Sequence, residues 1–227
     1  MICLQHVSKV FGEGPARVPA LDDISFTIKR GEFVALSGPS GAGKTTLLRL
    51  LYRAELPSEG EIEVADLDVT RLRRSDVCLL RRSIGVVFQD AKLLDGRTAY
   101  ENVVFVLRVL GTPREEIKPR ALAALRSVGL SARAQAFPHQ LSQGEAQRAS
   151  LACALVKSPA LLLADEPTGN LDDDMETEIL DLLNAIWLQG TTVLVATHQA
   201  RVVNRLKRRT LTLAGGRLLE PESSRSS

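Results

Sequence analysis

A chain of 227 residues with 44% hydrophobic and 25% charged residues is long enough to bury a core without disulfide or metal support. Its net charge of +2 is too small to imply nucleic-acid binding, and no uninterrupted apolar run exceeds six residues (151–156), far short of a membrane-spanning helix. Cys3, Cys78 and Cys153 are scattered and form no CxxC pair, which argues against a zinc site or a disulfide framework and suits a reducing compartment.

The first six residues lack a basic stretch followed by an apolar one, so no signal peptide is expected and membrane association would need a partner. Residues 21–28 alternate apolar and polar side chains, as a half-buried strand does. Residues 33–37 form a short apolar run ending in a glycine-rich loop, and residues 44–52 read as the helix that follows. Residues 84–88, 160–164 and 192–196 are further short runs, the last two followed by turn residues and a helical pattern. This is the layout of an α/β fold with a mostly parallel sheet covered by helices. Residues 91–143 differ, with helical spacing at Val103, Val106, Leu107 and Leu110 and again at Leu122, Leu125 and Val128. They read as a helical insertion within a single domain over residues 1–220, and the Ser-rich end, 221–227, reads as a flexible tail. Arg71, Arg73, Arg74, Arg81 and Arg82, and then Arg205, Lys207, Arg208 and Arg209, form two basic groups. They suit a solvated face or contact with acidic headgroups or a membrane partner.

Gly38-Pro39-Ser40-Gly41-Ala42-Gly43-Lys44-Thr45, followed by Thr46, matches GxxxxGK[ST] between an apolar strand and a helix. Glycines let backbone N–H groups turn inward around a β-phosphate, and the positive end of the next helix faces the anion. Lys44 would reach the β- and γ-phosphates of ATP, and the Thr45 hydroxyl would join the coordination of Mg²⁺. Further on, Leu161-Leu162-Leu163-Ala164-Asp165-Glu166 is an apolar strand ending in two carboxylates, where a parallel sheet presents groups to its ligand crevice. Asp165 would hold Mg²⁺ directly or through water, and Glu166 would polarise the attacking water as a general base.

Leu141-Ser142-Gln143-Gly144-Glu145 resembles the LSGGE/Q signature of ABC ATPases. Gln89 after residues 84–88 resembles their Q-loop, Gly169-Asn170-Leu171-Asp172 their D-loop, and His198 their switch histidine; Phe11 sits where the family places an adenine-stacking aromatic. The resemblance covers residues 1–219 and implies a phosphate-loop NTPase core with an antiparallel β part near the N-terminus and an inserted helical subdomain. It also implies a head-to-tail homodimer in the ATP-bound state. Ser142, Gln143, Gly144 and Glu145 of one copy would face the ATP held by the other. Gln89 would sense the γ-phosphate and Mg²⁺, His198 would stabilise transition-state charge, and Asp172 would signal between the sites. Plainer roles are open for several of these: Phe11 as a packing aromatic, His198 as a structural histidine, Gln89 as an ordinary loop residue, Ser142 as a helix cap. His6 and His139 receive no role.

Two positions depart from the family pattern. Gln143 stands where a glycine is usual, which would strain the chain if the backbone needs positive φ, and Gln199 stands where many members have Asp. Both predict slow turnover. Residues 50–60, 85–90, 93–94 and 98–103 are similar to the cell-division branch of the family, the FtsE ATPases. That likeness implies an FtsX-like integral membrane partner, regulation of cell-wall hydrolysis in dividing bacteria, and a peripheral location at the cytoplasmic face of the inner membrane. Residues 12–19 and the run at 165–172 also resemble ATPases of the lipoprotein-release and macrolide-export group, the alternative reading. A nucleotide-gated scaffold with little turnover is a further one.

Overall fold

The computed structural model describes residues 1–12 and 14–219, so the 221–227 tail lies outside the described residues. They form two compact units, one of residues 1–81 with those from 192 onward, the other of residues 82–191.

The first unit begins with β1 (Ile2–Phe11) and β2 (Val18–Ile28), an antiparallel pair extended by β4 (Glu59–Val64) and β5 (Leu67–Asp68) in the order β2-β1-β4-β5. The alternation expected from residue 21 to 28 is there: Ile24, Phe26 and Ile28 are buried, while Ser25 and Thr27 face solvent. The β1–β2 register shifts between Leu4 and Val7, around His6, whose φ is 51°. Gly60 of β4 fits against that bulge because a Cβ there would lie 2.3 Å from the His6 carbonyl oxygen.

The same unit holds β3 (Phe33–Ser37), flanked in parallel by β8 (Thr192–Thr197) and β9 (Arg209–Ala214), with β10 (Arg217–Leu219) antiparallel to β9. Phe33 to Leu36 and Val193 to Ala196 are all buried, which is why these strands read as continuous apolar runs instead of alternating ones. Gly215 and Gly216, at φ 54° and 80°, close the β9–β10 hairpin, the left-handed pair a two-residue turn requires. Helix α1 (Lys44–Leu51) buries Leu47, Leu48, Leu50 and Leu51; α7 (Ala200–Leu206) follows β8, and α2 (Val77–Ser83) carries the chain into the second unit. The basic groups are partly committed internally. Arg71 pairs with Glu61, Arg81 donates to the Tyr52 and Arg53 carbonyls, and Arg209 bonds Glu32 and the Thr27 carbonyl.

In the second unit β6 (Ile84–Val87) runs parallel to β7 (Leu161–Asp165), with α3 (Ala99–Val109), α4 (Arg114–Ser127), α5 (Gln143–Leu155) and α6 (Asp173–Leu188). The helical spacing expected from Val103 to Leu110 falls on α3 and its C-cap, and that from Leu122 to Val128 on α4 and its C-cap. Helix begins at Ala99, where the Thr98 hydroxyl accepts from Glu101 N–H at 3.2 Å and the Glu101 carboxylate accepts from Thr98 N–H at 2.9 Å, and buried Asn102 fixes the preceding loop by accepting from Leu94 N–H and donating to the Leu94, Arg97 and Thr98 carbonyls. In α4 the buried face is Ala121, Ala124 and Leu125, continued by Val128; Leu122 is exposed, so small residues carry the packing there. In α5 the buried residues are mostly small as well, Gly144, Ala149, Ser150, Ala152 and Ala154 beside Gln147 and Leu151, which lets neighbours approach closely.

Candidate nucleotide site

Within the first unit the chain leaves β3 at Ser37 and enters the loop 38–43 with left-handed or extended-glycine backbone at Gly38, Gly41 and Gly43 (φ 155°, 78° and 104°). A Cβ at Gly38 would lie 2.1 Å from the Leu213 carbonyl oxygen, and one at Gly43 would lie 2.5 Å from that of Ala20. The loop is thus clasped between β9 and β2 where only glycine fits. Pro39, Ser40, Gly41 and Thr45 are exposed, Thr46 is half-buried, and Ala42 is buried. Lys44 is 6% exposed, and its Nζ donates to the Gly38 carbonyl at 2.7 Å and that of Pro39 at 3.1 Å, so the ammonium is held over the loop. Phe11 closes β1, half-buried, with Lys9 Nζ 4.7 Å from its ring centroid. His198 is exposed just past β8. Gln199 occupies the N-cap of α7 without a side-chain cap bond; its amide oxygen accepts a hydrogen bond from Arg201 Nε at 3.1 Å instead.

Within the second unit Asp165 ends β7 half-buried, and Glu166 follows at φ 48°. A non-glycine residue there carries about 1 kcal/mol of backbone strain, which persists only where the surroundings fix it. Gln89 is exposed beyond β6, its Nε2 donating to Asn170 Oδ1 at 3.5 Å and lying against Gly169, where a Cβ would come within 3.1 Å of it. Asn170 in turn donates to Asp90 at 3.4 Å. Ser142 caps α5: its hydroxyl accepts from Glu145 N–H at 3.2 Å, and the Glu145 carboxylate accepts from Ser142 N–H at 2.9 Å. Gln143 is the first helical residue and is absent from the positive-φ positions, so the strain considered from sequence does not arise; its side chain is exposed. Gly144 is buried because a Cβ would lie 2.9 Å from Met175 Sδ. Asp172 caps α6 by accepting from Met175 N–H at 2.8 Å. Gln89, Asp90, His139, Gln143, Gln147 and Asn170 line a cleft of about 510 Å³.

Sequence reasoning gave no role to Asp90 or Gln147, and named Gly169 and Asn170 only as members of the D-loop run. Gln147, 3% exposed, donates to the Phe88 carbonyl at 2.9 Å and anchors the backbone just before Gln89. Its sequence signal is a long polar side chain four residues before Leu151 on the buried face of α5.

No cluster of three or more His, Cys, Asp or Glu side chains suited to a metal occurs among the described residues. The expected Mg²⁺ donors, Thr45, Gln89 and Asp165, are instead a hydroxyl, an amide and a carboxylate, the hard oxygen groups that Mg²⁺ accepts beside phosphate oxygens. A glycine loop at a helix N-terminus with a buried lysine over it fits the phosphates of a nucleotide.

A parallel-stranded α/β chain with this loop and a strand-end carboxylate pair is a phosphate-loop nucleotide-binding protein. The family description that matches residues 21–169 is ABC transporter, and the chain belongs to that family, as an ABC-type ATPase. It is 45% identical over 223 residues to the cell division ATP-binding protein FtsE of Streptococcus pneumoniae, covering 98% of this chain and 96% of that one. FtsE of Mycobacterium tuberculosis is 48% identical over 222 residues (98% and 96%), and FtsE of Escherichia coli K12 47% over 218 (96% and 97%). Among solved structures, the ATP-binding cassette MJ0796 in a dimeric post-hydrolysis state bound to ADP and Pi matches all of both chains, with a TM-score of 0.88 and 35% identity.

Proposed function

We propose that this chain is the ATP-hydrolysing cytoplasmic subunit of an FtsEX-like complex, driving an FtsX-like integral membrane partner that regulates cell-wall hydrolysis in bacterial division. The observation that carries the reading is the near full-length likeness to FtsE on both sides of the alignment, at 45–48% identity. No helix among the described residues is long and apolar enough to cross a membrane, so the attachment to the inner membrane runs through the partner, at its cytoplasmic face. The dimeric form of the MJ0796 cassette supports an ATP-bound homodimer here.

In this reading the backbone of residues 38–46 and Lys44 hold the phosphates, and Phe11 stacks on adenine. Thr45, Gln89 and Asp165 offer oxygen donors to Mg²⁺, whose charge offsets that on the phosphates. Glu166 accepts a proton from the attacking water, held in place by its fixed backbone. His198 stabilises charge on the γ-phosphate in the transition state. Ser142, Gln143, Gly144 and Glu145 face the nucleotide of the second copy, with the capping box fixing the end of α5 that meets it. Asp172, as the α6 cap, ties the D-loop to a rigid helix and transmits its position. ATP then acts on the membrane partner by favouring the closed dimer.

The test is affinity capture from native membranes with ATP-loaded Glu166→Gln protein as bait, alongside phosphate release by the unaltered chain. Recovery of an FtsX-like membrane protein is expected. Recovery of a lipoprotein-release or efflux subunit in its place would overturn the division role, and absence of Mg²⁺-dependent phosphate release with the partner present would overturn turnover itself.

A further inference from the structure

The side chains that join the loop after β6 to the turn after β7 form a chain of hydrogen bonds with a direction. Asp90 Oδ1 accepts from Asn170 Nδ2 at 3.4 Å, and Asn170 Oδ1 accepts from Gln89 Nε2 at 3.5 Å. An ionised carboxylate only accepts, so it takes the nitrogen end of the Asn170 amide. Asn170 then shows its oxygen to Gln89, and Gln89 answers with its nitrogen. The other end of the Gln89 amide is therefore Oε1. The order matters because a hard cation binds an amide through oxygen and is repelled by the NH₂ end.

We propose that Asp90 and Asn170 are positioning residues that set which way round the Gln89 amide sits, so that Oε1 is the atom offered to Mg²⁺. The inference rests on the cation-binding role given to Gln89 above. Two independent contacts hold the chain in place. Gly169 lets the Gln89 side chain lie flat on the backbone, where a Cβ would come within 3.1 Å of Nε2 and 3.4 Å of both Cδ and Cγ. Buried Gln147 fixes the Phe88 carbonyl, so the main chain cannot slide beneath Gln89. Lys92 approaches the other Asp90 oxygen, Oδ2, at 3.8 Å, which leaves Oδ1 for Asn170. All three relay side chains are exposed and sit outside the packed core, so replacing them leaves the fold intact.

The relay is tested by the affinity of Mn²⁺, read by electron paramagnetic resonance, for ATP-loaded Glu166→Gln protein carrying a second substitution. Asn170→Ala removes the link to Gln89. Asp90→Lys replaces the acceptor by a donor and so reverses the preferred orientation of both amides. Each is expected to weaken Mn²⁺ binding about threefold to tenfold, the effect of one hydrogen bond of ordinary net strength, with metal-free ATP affinity unchanged. In a Gln89→Ala background neither change has a further effect, since both act through Gln89. Unchanged Mn²⁺ affinity in Asn170→Ala and Asp90→Lys, or a loss that persists in the Gln89→Ala background, overturns the relay while leaving Gln89 as a ligand. If Gln89→Ala alone leaves Mn²⁺ affinity intact, the role of Gln89 fails and the relay falls with it.

Discussion

Substituting alanine at Gly43 and at Gly41 separates two costs that a glycine-rich loop usually confounds. Both residues have left-handed backbone, at φ 104° and 78°, so each Gly→Ala change carries about 1 kcal/mol of conformational strain. Their surroundings differ. A Cβ at Gly41 meets nothing within 4 Å, whereas one at Gly43 lies 2.5 Å from the Ala20 carbonyl oxygen and 2.8 Å from Leu21 Cδ2. The leucine methyl can swing aside, but the carbonyl belongs to β2, which is paired along its length with β1. Relieving that contact means moving strand backbone by roughly an ångström, and overpacking of this kind costs about 1–3 kcal/mol more. Gly43→Ala is therefore expected to lose about 2–4 kcal/mol and Gly41→Ala about 1 kcal/mol. Urea unfolding of the nucleotide-free protein, followed by far-UV circular dichroism, reads the difference as a shift in midpoint at constant slope. Equal losses at the two positions would show that the clasp between the loop and β2 contributes nothing and that backbone conformation is the whole cost.

Replacing Ser142 by Ala should lower stability by about 1 kcal/mol through the lost α5 cap, while Ser142→Asp keeps the cap; if both stop ATP hydrolysis alike, measured as phosphate release, the serine acts beyond capping. Gln199 leaves the α7 N-cap without a side-chain bond, so Gln199→Asp should raise stability by about 0.5–1 kcal/mol in the same urea assay. At Glu32, burial pushes the carboxyl up, but the Arg209 guanidinium and the Lys29 backbone N–H outweigh it and hold it below its ordinary value of 4.5. A depressed carboxylate stabilises the folded state above its unfolded value and loses that contribution as pH falls, so the stability gap between the unaltered protein and Glu32→Gln should narrow from about pH 5 down to about pH 3. Burial pushes the Cys153 thiol up to about 12, whereas Cys78 is exposed. A thiol reagent at pH 8 should label Cys78 at once and Cys153 only on unfolding, followed by mass spectrometry.

Much of the architecture is legible because burial on both faces leaves a signature no partner can blur. The runs at 33–37, 84–88, 160–164 and 192–196 all mark strands to within a residue or two. Edge elements are harder. Strands β4 and β5 are short and acidic on their exposed positions, and β9 and β10 mix exposed arginines with half-buried leucines. The Gly215-Gly216 pair is the one turn signal for that last hairpin, and the short strands beside it carry no clean alternation. The start of α3 is marked locally by Thr98 and Glu101, which form a capping box, and Asn102 fixes the loop before it through its amide.

The site shows the same division between motif and support. Residues that must touch a phosphate or a cation recur at fixed spacing, because backbone geometry around an anion allows few solutions, and so the loop at 38–45 and the pair at 165–166 stand out in a single sequence. The residues that orient them answer only to their neighbours in space. Gln147 lies 58 residues from Gln89 and reaches the carbonyl before it; Asn170 lies 81 residues from Gln89 and reaches its amide. Gln147 has no spacing rule, since any helix passing at the right distance would serve, and the D-loop run that contains Asn170 does not say which side chain it meets. Gln143 illustrates the converse. Its departure from the glycine of the signature suggested strain, but as the first residue of α5 it has ordinary backbone, and the strained residue of the unit's functional segments is Glu166. Any slowing of turnover by Gln143 must therefore come from its exposed side chain, not from its backbone. That places the effect where Gln143→Ala and Gln143→Gly act alike: both should raise phosphate release in the dimer to a similar extent, whereas a rise confined to glycine would restore the backbone explanation.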